Sequence, residues 1–172
     1  MDKSQLGRAG ELALTLYALV TSNGEVELYQ PVVDDDHVDL VGAIRGGLPK
    51  IGIQVKTAGA LDKDGQVEAR ASFPLDDVRD DAAFVYAILL LDSVRIRTAW
   101  LIPSPDFNRL AYRHADARHV DLEFRAYPQR ADDFSSFRVD PLQLGAALSS
   151  KIRTETYTPD WLVSLTNVRQ PN

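Results

Sequence analysis

The chain contains no cysteine, which removes thiol nucleophiles, cysteine-ligated zinc and a disulfide framework, and fits a reducing, cytoplasmic setting. Histidine is nearly as scarce. His37 reads as a turn residue in solvent, His114 and His119 are five positions apart and so share no helical face, and no H-E-x-x-H metal motif exists. A glycine-rich phosphate loop is also missing, because Gly42, Gly46 and Gly47 fall on a hairpin rather than ahead of a helix, and no serine-nucleophile motif is present. The longest apolar run is far short of a bilayer span. The amino terminus has no basic region followed by an apolar core, so no membrane association is expected. Positive charge is in deficit, 19 basic residues against 25 acids for a net charge of -6, which excludes a protein that coats nucleic acid by charge alone.

What remains is enough for one ordinary domain. With 172 residues the chain can bury roughly 70% of its unfolded surface and needs no metal or disulfide to fold. No repeat, low-complexity tract or long linker divides it, so a single domain over 1–172 is expected, with 104–172 elaborating the core. Arginine supplies 14 of the 19 basic residues. Seven of them lie between Arg95 and Arg130 beside four acids, Asp106, Asp116, Asp121 and Glu123. Such a segment is either a salt-bridged surface or a phosphate-contacting patch.

Apolar residues at three- and four-residue steps, Leu6, Ala9, Gly10, Ala13, Leu16, Tyr17 and Val20, predict a helix from about Ser4 to Ser22, stopped by Asn23-Gly24. Its first half is thin enough to lie close against a sheet, and Glu11 sits at the border of the buried stripe. Alternation predicts strands over 25–33, 66–73 and 119–127, and Asp34-Asp35-Asp36 reads as a solvated turn. The run from Ala83 to Leu91 is apolar enough for a central strand buried on both faces, with 94–103 as its neighbour. Ser104-Pro105-Asp106 predicts a short helix, capped by Ser104, to about Tyr112. Cap-and-proline pairs at Asp140-Pro141 and Thr158-Pro159 predict helices over 141–153 and 159–166. Trp100 and Trp161 sit in apolar surroundings and read as core. The fold class is α/β at its boundary with α+β, a mixed central sheet flanked by helices.

The stretch from His37 to Thr57 carries the chemistry. It reads as a hairpin about Arg45-Gly46-Gly47-Leu48-Pro49. If Ile44 faces Ile51, Val41 opposes Gln54 and Asp39 opposes Lys56. Val38, Leu40, Ile44, Ile51, Ile53 and Val55 then form an apolar face, and Asp39, Gln54 and Lys56 share the other. Magnesium, or manganese, takes oxygen ligands. Asp39 offers a carboxylate, Gln54 its side-chain carbonyl and Val55 its backbone carbonyl, while Glu11 reaches the ion through a water. Lys56 stands ready to neutralise charge on a phosphate in reaction. A plainer reading makes Asp39 and Lys56 a cross-strand ion pair, Gln54 a surface amide and Glu11 a solvated charge.

Glu11 in G-R-A-G-E, Asp39 in V-D-L, and Gln54-Val55-Lys56 resemble the core of the PD-(D/E)XK nuclease superfamily, in the Q-x-K form of Mrr-like restriction enzymes and DUF4365-type domains. The resemblance spans about residues 4 to 57. It implies a restriction-endonuclease-like αβββαβ core, magnesium-dependent phosphodiester hydrolysis with Lys56, Asp39, Gln54 and Glu11 as catalytic residues, DNA as substrate, and action as a homodimer. Two positions depart from the pattern: Val38 stands where proline is usual, and Gln54 replaces an acid. The function expected is that of a metal-dependent DNA endonuclease-like protein. The alternatives are an inactive nuclease-fold domain that binds DNA or a protein, and an acidic interaction protein such as a toxin or antitoxin subunit.

Overall fold

The computed structural model describes residues 2–31 and 37–155. The Asp34-Asp35-Asp36 turn, Trp161 and the helix expected over 159–166 lie outside them. Helix α1 (Lys3–Thr21) begins at a capping box, in which the Gln5 N–H donates to Asp2 Oδ1 at 2.8 Å and the Asp2 N–H donates to Gln5 Oε1 at 3.0 Å. It ends as expected at Asn23 and Gly24, both at positive φ (54° and 77°), with the Gly24 N–H bonded to the Leu19 carbonyl.

Strands β1 (Val26–Tyr29), β2 (Leu40–Ile44) and β3 (Ile51–Ala58) form an antiparallel meander. β4 (Val67–Pro74) leaves that layer, and β5 (Phe84–Asp92) returns to pair with β3 in parallel. β6 (Arg95–Pro103) turns back beside β5, α2 (Ser104–Leu110) follows, and β7 (Tyr112–Ala115) and β8 (His119–Ala126) add to β4. β9 (Arg138–Val139) and α3 (Leu144–Thr154) complete the described chain. The result is a six-stranded mixed sheet, β1-β2-β3-β5-β6-β9, and a three-stranded sheet, β4-β8-β7. No helix among the described residues is long and apolar enough to cross a membrane.

Each face of the large sheet has its own core. On one side Ile51, Ile53, Val55, Val85, Ala87 and Leu89 meet Ala13, Leu14 and Ala18 of α1 and Leu144, Leu148 and Ile152 of α3. On the other, Tyr86, Ile88, Trp100 and Ile102 meet Phe73, Leu122 and Phe124 of the small sheet and Phe107 of α2. β5 shows no polarity alternation because it is covered on both faces, as its apolar run predicts. Trp100 is fully buried, also as expected.

Four local expectations differ. The 141–153 helix starts with a single 3-10 turn, Pro141–Gln143. Residues 112–115 are strand rather than helix end. Ser104 is no cap: it is buried, and its Oγ bonds both the N–H and the carbonyl of Asp81, pinning α2 to the loop before β5. The buried stripe of α1 centres on Gly10, Leu14 and Ala18, leaving Leu16 and Val20 outside at 59% and 61% exposure. That α1 is apolar around most of its circumference explains the error in phase.

Glycines on α1 separate packing from propensity. A Cβ on Gly10 would lie 1.9 Å from Thr57 Oγ1, whereas one on Gly7 meets nothing within 4 Å. Gly7→Ala is therefore expected to stabilise the fold by about 0.5–1 kcal/mol through helix propensity. Gly10→Ala is expected to destabilise it by about 1–3 kcal/mol through overpacking. Urea denaturation of the two variants checks the opposite signs.

Candidate functional site

The β2–β3 register sets the site. Leu40 pairs with Ile53, Val41 with Gly52 and Gly42 with Ile51, two residues away from the register expected from Ile44 facing Ile51. Ile44 instead pairs with Val26 of β1, and the connection runs over 43–50. Gly42 makes this closure possible, since a Cβ there would stand 2.8 Å from Ile51 Cγ1. The turn proper is tight, with the Gly47 N–H on the Ile44 carbonyl and Gly46 at φ 74°, and the Lys50 N–H then returns to the Gly42 carbonyl.

A two-residue shift preserves which face each side chain takes but changes who meets whom. Continued by one step, the register puts Asp39 across from Gln54, not Lys56, and Val41 across from Gly52, not Gln54. The expected Asp39–Lys56 cross-strand pairing is thus corrected. Alternation also breaks ahead of β2. Val38 packs against the small-sheet core and Leu40 against the helix core, so Val38 does not join the apolar face expected for it.

Asp39 stands at this break and extends the ladder with both its backbone and its side chain. Its N–H donates to the Ile53 carbonyl at 3.0 Å, and its Oδ2 accepts the Val55 N–H at 2.6 Å. The carboxylate occupies the place a strand carbonyl would take, and its orientation is tied to β3. Gln54 is 6% exposed, and its Oε1 is buried with no hydrogen-bond partner among the described residues. Its neighbour on β5 is Tyr86, whose fully buried hydroxyl is likewise unpartnered and whose ring stacks on Phe107 with centroids 4.0 Å apart. Burial pushes the Tyr86 hydroxyl pKa well above the usual phenol value, so it stays protonated and can only donate or accept a hydrogen bond. Lys56 is half-buried one step further along the same face.

Glu11 arrives from the helix side. The Gly10 contact with Thr57 brings α1 onto β3, and the Glu11 carboxylate is held by Arg8 Nη1 at 2.7 Å and by Gln30 Nε2, just past the end of β1, at 2.9 Å. Gln30 is the positioning residue that sequence reasoning missed; no motif marks a glutamine beyond a strand end. Among the described residues no group of three or more His, Cys, Asp or Glu is arranged to hold a metal ion. The donor set at Asp39, Gln54 and Val55 contains one carboxylate and two carbonyl oxygens.

The arginines of 95–130 do not converge. Arg109 pairs with Asp106, Arg125 with buried Glu123, and Arg130 lies over the Tyr127 ring. Glu123 also draws Arg70 and His114, so much of the outer face of the small sheet is salt-bridged. Arg95 and Arg97 differ: both are exposed, they flank Ile96, which faces the helix core, and the register places them at the β3 carboxyl-terminal end of the sheet, where Lys56 lies.

The fold is similar to that of the bacterial homing endonuclease I-Ssp6803I, with a TM-score of 0.56 at 15% identity over 90% of this chain and 99% of that one. No protein-family model matches the chain, and no curated protein matches it in sequence. The likeness shows the fold, a mixed central sheet with flanking helices, as expected.

If the Asp39 carboxylate replaces a ladder carbonyl, its removal leaves the Val55 N–H unmet. Asp39→Ala is expected to cost about 1.5–3 kcal/mol of stability, and Asp39→Asn, which retains an oxygen acceptor, clearly less. Equal midpoints for the two variants in urea would show that the carboxylate does not carry this bond.

Proposed function

We propose that the chain is a metal-dependent DNA endonuclease-like protein that hydrolyses phosphodiester bonds, in the manner of the PD-(D/E)XK superfamily. The observation that carries this reading is the buried Gln54 Oε1, without a hydrogen-bond partner among the described residues, next along β3 to the Val55 N–H that fixes the Asp39 carboxylate. A buried unpaired amide oxygen costs about 1–3 kcal/mol. Such a group calls for a ligand, and one on the strand that anchors a carboxylate calls for a cation.

The donor chemistry fits magnesium or manganese. Asp39, the Gln54 side-chain carbonyl and the Val55 backbone carbonyl are all oxygen donors, the kind hard divalent ions prefer. When bound, such an ion supplies Lewis-acid polarisation of the scissile phosphate and acidifies water. The protein's own part follows from its side chains. The Val55 N–H keeps Asp39 from swinging away, Lys56 offsets negative charge growing on the phosphate, and Glu11, steadied by Arg8 and Gln30, serves as an accessory acid at the rim. Arg95 and Arg97 supply exposed guanidinium groups for flanking backbone phosphates. DNA as substrate is supported by the fold shared with a homing endonuclease.

One feature favours a second reading, an inactive nuclease-fold domain that binds DNA or a protein. Glu11 is already engaged by Arg8 and Gln30, which leaves Asp39 as the acid facing Gln54. Cleavage assays on linear, branched, methylated and single-stranded DNA with magnesium or manganese separate the two. The catalytic reading expects cutting that falls by roughly 10²–10³ in Lys56→Ala and in Asp39→Asn, each still folded. By calorimetry it expects magnesium binding that Asp39→Asn abolishes and Gln54→Glu tightens. Metal-independent, salt-sensitive DNA binding with no cleavage of any substrate would establish the second reading instead.

A further inference from the structure

The turn that joins β5 to β6 is built from the wrong residues for its geometry. Its two central positions are Ser93, at φ 58°, and Val94, which is 77% exposed. A two-residue hairpin turn needs left-handed backbone, which glycine, asparagine or aspartate supplies at least cost. An apolar β-branched side chain at an exposed turn tip has no packing reason. Such a breach of local turn chemistry marks a position kept for function.

The strands below the turn add three observations. Leu91 pairs with Ile96 and Asp92 with Arg95, beyond Leu90 and Ala99, the last residues at which β3 and β9 flank the pair, so among the described residues the ribbon ends without a strand on either side. Leu91 and Ile96 are buried in the helix core and hold the ribbon stiff beneath its tip. The shift in register between Leu90 and Leu91 leaves Arg97 as the extra residue of a β-bulge, a device by which a strand re-aims a side chain. Arg95 and Arg97 are both exposed, and among the described residues neither enters a salt bridge, whereas Arg8, Arg45, Arg70, Arg109, Arg125 and Arg153 all do.

We propose that the β5–β6 tip is a groove-reading element, a two-stranded ribbon that enters the major groove of duplex DNA. The inference rests on the DNA reading above and adds the means by which base sequence is discriminated. The major groove, about 12 Å wide, admits such a ribbon, and the minor groove, about 6 Å wide, does not. Arg95 and Arg97, on the stem, meet phosphates along the groove's walls and fix the register of the ribbon on the duplex. At the tip Val94 offers apolar contact to a thymine methyl, Ser93 a hydroxyl to a base edge, and Asp92 a carboxylate to a cytosine amino group. One duplex can reach both the ribbon and the candidate site. Lys56 pairs with Ile88 and Arg95 with Asp92, four residues along β5 and two strands across, which sets them about 16 Å apart, half a helical turn of DNA.

Fluorescence anisotropy with a random-sequence duplex of about 30 base pairs, three helical turns, tests the proposal, with calcium in place of magnesium to hold back cleavage. Arg95→Ala combined with Arg97→Ala is expected to weaken binding about tenfold at about 100 mM salt and to lower the salt slope by about two, with circular dichroism unchanged. Arg113→Ala, at an exposed position on β7, is expected to change neither. Because the chain has no cysteine, an environment-sensitive dye attached to Val94→Cys reports from the tip alone. Its emission is expected to shift when the duplex binds and to revert with methyl green, a major-groove ligand, but not with netropsin, a minor-groove one. The same dye on Ser72→Cys, exposed on the small sheet, is expected to stay silent. Duplex binding that leaves position 94 silent, that netropsin reverses there, or that the double variant retains in full overturns the ribbon and leaves the DNA reading standing. A chain that binds no duplex at all overturns both.

Discussion

The parallel pairing of β3 with β5 governs the rest of the architecture. Two adjacent strands running the same way need a crossover between them, and both their faces must be covered. Here the crossover is β4 with one 3-10 turn, and β4 becomes the seed of a second sheet that covers the face opposite α1 and α3. On the helix side coverage depends on closeness. Gly10 brings α1 against Thr57, and Gly145 would place a Cβ 2.3 Å from the Ser22 N, so α3 locks against the end of α1 with its N–H on Thr21 Oγ1. A further tie joins α3 to the sheet edge, where Ser149 and Arg153 bind Glu25 and hold its carboxyl below the usual carboxylate range.

With both faces of β3 buried, its polar residues had to be accommodated rather than merely exposed. Gln54 sits under the small sheet beside Tyr86, and only from Lys56 onward does the strand regain partial access to solvent. The candidate site is therefore a seam between layers. Asp39 reaches it because β2 begins only at Leu40, so that the Asp39 side chain rather than a further ladder carbonyl takes the Val55 N–H. The shift in register rests on the close approach of Gly42 to Ile51, so Gly42 contributes to the site without touching it.

Much of this was legible in the sequence, for reasons that also mark where legibility stopped. Period and composition are local properties, so α1, β3, β5, β6 and the placing of Gln54 and Lys56 on one face of β3 could be read directly; Asp39, at the break in alternation, could not. Register depends on one glycine's missing Cβ against one isoleucine, and a two-residue slip leaves the face assignments within the paired strands intact, so nothing in the pattern exposes it; Val38 differs because alternation breaks ahead of β2. The 119–127 strand could be recognised, but not that its partners are 67–74 and 112–115 in a separate sheet. The outward face of α1 escaped notice because a helix apolar nearly all round has no clear phase. Gln30 escaped because its hydrogen bond to Glu11 spans 19 residues and has no sequence signature.

Gln54 remains the residue on which the chemistry turns, and its neutrality has a physical consequence in both states of the site. A glutamate there would place two carboxylates across one strand pair under a layer of aromatic side chains. Without a cation their repulsion and desolvation would force one to keep its proton. The amide avoids that cost: it leaves one oxygen without a partner among the described residues rather than a second buried charge, and the Asp39 side chain accepts the Val55 N–H beside it. On the proposed reading, the same neutrality would withhold one negative charge from a cation, so the site would rely more on a substrate phosphate to complete the ligand set, and substrate binding rather than metal supply would gate it.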